Sequence, residues 1–243
     1  MHLRKYHGLG NDFLVLVDAD GKQPVDAALA RAVCDRHRGA GADGFIRVTG
    51  HGVQGTQPGD PLRMELYNAD GSRAETSGNG LRCLARAVVD AGVEDSPELT
   101  VVTDAGPRRL TLHDDGQVSV EMGTVRWDGD LVDLGNPHLV VFVDDLAKAD
   151  GGKDGLNVEY VVTGPGADEL TMRVFERGVG ETLACGSGAS AAAAVAHERG
   201  LVGERVTVHQ PGGDVTVQLA DPIVLTGPVE YICDVEWPEA AWR

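Results

Sequence analysis

The chain has 243 residues, 38 acidic against 21 basic, and a formal net charge of −17. So acidic a surface repels polyanions, which argues against nucleic acid or an anionic membrane as partner. An apolar share of 42% is ordinary for a globular protein and sufficient for two modest cores.

Read in chain order, residues 12–18 (DFLVLVD) form a first predicted strand, 26–37 a helix with Leu29 and Val33 on one face, and 44–48 a strand. Residues 50–60, with repeated Gly, Gln and Pro, read as a loop. A strand over Met64-Glu65-Leu66-Tyr67 leads into Ser77-Gly78-Asn79-Gly80 and a helix over 81–91. Strands follow at 98–103, 109–112 and 118–122, with Asp114-Asp115-Gly116 as a hairpin turn. Residues 123–130 read as a connector. The pattern then returns: a strand over Met172-Arg173-Val174-Phe175, the turn Cys185-Gly186-Ser187-Gly188, a helix over 189–199, and strands at 205–209, 215–219 and 223–225.

The return has a fixed offset. Ser77 and Cys185, Met64 and Met172, and Gly92 and Gly200 are each 108 positions apart. A duplicated fold is the simplest explanation. The chemistry-bearing device is the same in both halves: a small nucleophilic side chain, a glycine turn and an alanine-rich helix that should be largely buried, closed by a glycine in the left-handed conformation. Unpaired N–H groups and the positive dipole end of a helix start favour a carboxylate, so two such starts would hold an amino acid between two nucleophiles. The expected architecture is α+β: two pseudo-symmetric domains, 1–122 and 123–243, each a mixed β-sheet wrapped around a central helix. The last strand returns to the first domain, and the active site lies in the interdomain cleft.

Other features carry less. Gly39-Ala40-Gly41-Ala42-Asp43-Gly44 fits G-x-G-x-x-G, but that fingerprint needs a strand before and a helix after, and the order here is reversed. A glycine loop is the better reading. His197 stands alone late in a helix and suits a solvated or capping role, with no partner at metal-ligand spacing. Cys34, Cys83, Cys185 and Cys233 form no Cys-x-x-Cys pair, which fits reduced thiols and argues against zinc. With no signal peptide in residues 1–22 and no apolar run of membrane-spanning length, a cytoplasmic location is expected.

Five ordered segments carry a resemblance. His7-Gly8-Leu9-Gly10-Asn11-Asp12-Phe13, Asn68-Ala69-Asp70-Gly71-Ser72, Ser77-Gly78-Asn79-Gly80-Leu81-Arg82-Cys83, Gly135-Asn136-Pro137-His138 and the run from Glu176 to Gly188 together resemble the diaminopimelate epimerase family across nearly the whole chain. The resemblance implies a cofactor-independent epimerase, with neither pyridoxal phosphate nor metal. It would interconvert LL- and meso-diaminopimelate for lysine and cell-wall synthesis, as a homodimer. It implies Cys185 as one catalytic group, with Glu176 beside it, and His138 near the other catalytic position, Ser77. Substrate-binding roles carry over to Asn11, Asn68, Asn136, Asn157, Glu176 and Arg177, with backbone donors from Gly78, Asn79, Gly186 and Ser187. Without the resemblance, Asn68 and Asn136 read equally well as turn formers.

Inversion by proton exchange needs one group to take the α-proton from one face and another to return a proton to the opposite face. A cysteine suits the work because a helix start lowers its pKa. The chain departs from the family at Ser77, where the resemblance implies a second cysteine. A serine hydroxyl is a far weaker acid and needs a neighbouring base, for which His138 is the candidate. Cys83, about 9 Å further along the helix, is expected in the core. Gly44 stands where some members carry a substrate-binding amide. Several readings stay open: an epimerase with a Ser/Cys pair, a Ser/Cys racemase-like dehydratase or isomerase of another amino acid, an engineered Cys→Ser form, or an impaired amino-acid-binding relative.

Overall fold

The structure is a computed structural model and describes residues 1–50, 61–128, 131–153, 155–177 and 179–238. In chain order the elements are β1 (His2–Gly8), β2 (Asn11–Val17), α1 (Ala27–Cys34), β3 (Gly44–Thr49), β4 (Leu62–Asn68), β5 (Arg73–Ala74), α2 (Gly78–Asp90), β6 (Glu98–Thr103), β7 (Gly106–Leu112) and β8 (Gln117–Gly123). They continue with β9 (Arg126–Asp128), β10 (Leu131–Asp133), β11 (Pro137–Phe142), β12 (Asn157–Thr163), β13 (Glu169–Glu176), β14 (Gly180–Thr182), α3 (Gly186–Glu198), β15 (Arg205–Gln210), β16 (Gly213–Gln218), β17 (Ile223–Pro228) and β18 (Glu230–Glu236). A single 3-10 turn spans Leu146–Lys148.

The chain divides into two compact units. One comprises Met1–Gly8, Asp12–Val118 and Val229–Arg243, the other Leu9–Asn11 and Ser119–Pro228. In the first, β2 and β3 are parallel, β3 and β4 antiparallel, β4 and β6 parallel, and β6 and β7 antiparallel. In the second, β11–β12, β12–β13, β13–β15 and β15–β16 repeat that order of directions. The short strands β5 and β14 are added to β4 and β13 in the same way. A parallel neighbour requires a crossover, which α1 supplies between β2 and β3. The 3-10 turn lies in the corresponding connection between β11 and β12.

The two central helices match residue for residue at an offset of 108, from 78 to 90 and from 186 to 198. In the first unit Leu81, Leu84 and Val88 of α2 are fully buried, and the helix packs on β1, β3 and β7. In the second, strands β10 to β13 and β15 to β17 surround α3, whose Ala189, Ala191, Ala192 and Ala193 are also fully buried. Alanine side chains let strands approach a helix from many sides with good helix propensity. Gly92 and Gly200 end the helices at φ of +67° and +68°. They are the left-handed terminators the sequence predicts.

Three local expectations are corrected. The helix expected over 26–37 stops at Cys34, because the Asp35 carboxylate takes the N–H groups of His37 and Arg38 at 2.7 and 2.8 Å, a turn that competes with helix continuation. The glycines after Ser77 and Cys185 belong to the first helical turn rather than to a turn before it. Within the expected connector 123–130, Arg126–Asp128 is a strand paired with β10; all three residues are exposed, so no alternation marks it. The expected loop at 50–60 lies outside the described residues apart from Gly50.

Strands β1 and β18, to which the sequence reading gives no bounds, pair antiparallel. In β1 the apolar positions Leu3 and Tyr6 are separated by Arg4 and Lys5, which hides the pattern. Among the described residues, no helix is long and apolar enough to cross a membrane.

Candidate active site

Each central helix begins with a side chain that caps it. Ser77 is extended (φ −150°, ψ 124°) and its Oγ accepts from the Gly80 N–H at 3.1 Å. Cys185 is extended (φ −131°, ψ 116°) and its Sγ accepts from the Gly188 N–H at 3.4 Å. Serine is among the best N-caps. The first N–H groups of each helix, at Gly78 and Asn79 and at Gly186 and Ser187, have no intrahelical acceptor and carry the positive end of the dipole.

In the first unit, Arg82 is completely buried beneath the α2 start. It donates from Nη2 to Asn79 Oδ1 at 2.7 Å and from Nη1 to the Gly78 carbonyl at 3.4 Å. Burial lowers its pKa to about 10. A Cβ on Gly8 would meet Arg82 Nη2 at 2.8 Å, so the guanidinium accounts for that glycine. Asn68 ends β4 and is exposed. Its Nδ2 donates to Ser72 Oγ at 3.0 Å, the turn-forming role its sequence context suggested. Gly44 has no room for a side chain, because a Cβ would lie 2.9 Å from both Phe13 Cε1 and the Tyr67 carbonyl oxygen. Cys83 is in the core, and burial pushes its thiol up to about 12.

The second unit brings most of the remaining residues together around the start of α3. Cys185 is 7% exposed, and its N–H donates to Gln210 Oε1 at 2.8 Å. Ser187 Oγ lies 3.5 Å from Cys185 Sγ and accepts from Asn136 Nδ2 at 3.5 Å. His138 Nε2 lies 3.1 Å from Asn136 Oδ1. Its Nδ1 lies 2.6 Å from Glu159 Oε1, and both of those side chains are fully buried. Asn157 Nδ2 donates to the Pro137 carbonyl at 3.1 Å, and its Oδ1 accepts from the Arg177 N–H at 2.9 Å. Glu176, at the end of β13, accepts from Thr182 Oγ1 at 2.6 Å. Asn11 belongs to this unit and is half-buried; before it, Leu9 and Gly10 hold left-handed φ angles of +58° and +84°.

The electrostatics correct one expectation. Instead of being lowered by its helix start, the Cys185 thiol is raised well above the ordinary value. Burial is the largest cause, followed by the charges of Glu176 and Glu159; the Ser187 hydroxyl and Gly188 N–H oppose them only in part. Cys185 therefore rests as a thiol. His197 is exposed and its Nδ1 donates to the Val202 carbonyl at 3.1 Å, a bond to the segment after α3 rather than to a carbonyl of the helix end. Glu159 and Gln210 were missed by sequence reasoning. The available clue was a glutamate inside the apolar run NVEYVV, two residues from Asn157 and therefore on the same strand face.

Two strand-wrapped helices with matching capped starts define the class, a two-domain epimerase-like α+β fold. A phenazine biosynthesis protein of the PhzF family from Bacillus anthracis superposes with a TM-score of 0.75 at 16% identity, covering 98% of this chain and 99% of that one. A "Predicted Epimerase" from Pseudomonas aeruginosa gives 0.74 at 18% identity, covering 97% and 98%. Sequence similarity is more specific. The diaminopimelate epimerase family matches residues 3–127 and 131–232, and a diaminopimelate epimerase of Mycobacterium ulcerans (strain Agy99) is 39% identical, covering 100% of this chain and 99% of the relative. The chain belongs to the diaminopimelate epimerase family, whose members are isomerases.

Proposed function

We propose that this protein inverts the α-carbon of LL-diaminopimelate to give meso-diaminopimelate without a cofactor, in the cytoplasm and as a homodimer, in the synthesis of lysine and peptidoglycan precursors. The observation that carries the reading is the pair of equivalent helix starts, each presenting one proton-bearing side chain beside the backbone N–H groups of a first helical turn.

On one face of the α-carbon, Cys185 is the exchanging group. Glu176 takes the thiol proton, the thiolate removes the α-proton, and in the reverse direction the thiol returns one to the carbanion. On the other face, Ser77 carries the proton and His138 supplies or accepts it, because a serine hydroxyl alone does not ionise near neutral pH. The carbanion is held by backbone N–H groups of Gly78, Asn79, Gly186 and Ser187 aimed at the α-carboxylate. Arg177 pairs the distal carboxylate, for which a planar guanidinium is well shaped. Asn11, Asn68, Asn136 and Asn157 orient the two ends.

The test is direct: incubation with LL-diaminopimelate and chiral chromatography of the product, with light scattering for the assembly. Appearance of the meso isomer supports the reading. An unchanged LL substrate at high enzyme concentration refutes it.

A further inference from the structure

We infer that Glu159 is a positioning residue of the site: it holds the Nδ1 proton of His138, so that Nε2 is the ring nitrogen that gives up and takes back a proton. The role in turnover rests on the epimerase reading, whereas the pairing itself does not.

Both side chains are completely buried, and the Nδ1 to Oε1 distance is 2.6 Å. The strand register fixes this meeting. His138 stands opposite Asn157 in the parallel β11–β12 pair, which places Glu159, two residues on, along the same face. A neutral imidazole has one donor and one acceptor nitrogen, and a carboxylate accepts only. Nδ1 is therefore the donor toward Glu159. Asn136 Oδ1, 3.1 Å from Nε2, also accepts only, so Nε2 donates to it whenever it carries a proton and is the nitrogen left to give that proton up.

Two further observations show that space and hydrogen-bonding capacity are given up to keep this carboxylate. Its second oxygen, Oε2, is buried with no hydrogen-bond partner, which is costly for a polar atom in a core. A Cβ on Gly188 would lie 2.5 Å from Oε1, so the last glycine of Cys-Gly-Ser-Gly leaves the space that Glu159 fills. The contacts continue from His138 Nε2 through Asn136 and Ser187 to Cys185 Sγ. The Glu159 charge is also one of the causes that keep the Cys185 thiol protonated.

The test uses the full chain labelled with 15N-histidine, compared with Glu159→Gln, which preserves shape but removes the charge and can donate as well as accept. The wild-type His138 resonances should show Nδ1 as the protonated nitrogen, and Glu159→Gln should change that signature. The same substitution should lower kcat for LL-diaminopimelate by about tenfold or more while KM stays within about threefold, with Glu159→Asp recovering part of the loss. A wild-type His138 protonated at Nε2 alone, or a Glu159→Gln protein with an unchanged signature and unchanged kcat, overturns the inference. If the wild type has no epimerase activity, the proposed function falls, and the nitrogen signature still decides the pairing.

Discussion

Gly80→Ala and Gly188→Ala are equivalent substitutions by the internal duplication, yet the structure predicts unequal outcomes. Each places alanine in the first turn of a central helix, a change worth up to about 1 kcal/mol in helix propensity. At Gly80 the new Cβ meets Ile46 Cδ1 and Ser77 Cβ at 3.2 Å and Met64 Cε at 3.3 Å, and two of those are the ends of flexible side chains. Gly80→Ala should stay within about 1 kcal/mol of the wild type. At Gly188 it meets the fully buried Glu159 carboxylate at 2.5 Å, with Cδ and Cγ both at 3.1 Å. Overpacking costs about 1–3 kcal/mol, and pulling Oε1 from His138 adds about 1–3 kcal/mol. Gly188→Ala should lose about 1–5 kcal/mol net, read from urea midpoints by circular dichroism. Because the clash is with one side chain, most of that loss should vanish in a Glu159→Ala background. A Gly188→Ala protein as stable as Gly80→Ala, or an equal loss in both backgrounds, would refute the reasoning.

Ser77→Ala should cost about 1 kcal/mol of stability from the lost cap, whereas Ser77→Cys should raise the epimerisation rate by about tenfold or more; no gain in a chiral assay counts against the role given to Ser77. Iodoacetamide should alkylate Cys185 slowly at pH 7.5, because its raised pKa keeps it a thiol. Removing the neighbouring charge with Glu176→Gln should speed that reaction, as followed by mass spectrometry. The buried thiols also set an alkaline limit. Burial pushes Cys34 and Cys83 each up to about 12, and Cys185 is raised as well. Above the unfolded thiol value of about 8.5 the unfolded chain binds fewer protons, so stability falls with rising pH, by up to about 1.4 kcal/mol per pH unit per thiol. Urea midpoints at pH 8 and pH 10 should differ, and Cys83→Ala should narrow the difference.

The parts of the fold legible in the sequence were those written in local pattern. The spacing of Ser77 and Cys185, the alanine-rich helices and the glycines at 92 and 200 gave both central helices to within three residues at their starts and one at their ends. Strand β6 was placed at its observed limits. What was hidden depends on partners distant in the chain. Strand β18 is exposed along most of its length and is defined by β1, more than 220 positions away. Strand β12 holds a buried carboxylate whose partner is on β11, so its local pattern could not reveal why glutamate is tolerated there. The thiol at Cys185 is hidden for the same reason: the helix start is local, but the burial that chiefly raises the thiol, and after it the charges of Glu176 and Glu159, come from other strands.

The most direct measurement of two-face proton exchange is deuterium incorporation at the α-carbon, followed by NMR in deuterated water and begun separately from LL- and from meso-diaminopimelate. The account predicts label entering from both isomers together with their interconversion, and none with Cys185→Ala. Label entering from one isomer alone, without interconversion, would mean that Cys185 works and the Ser77 side does not, and would contradict it.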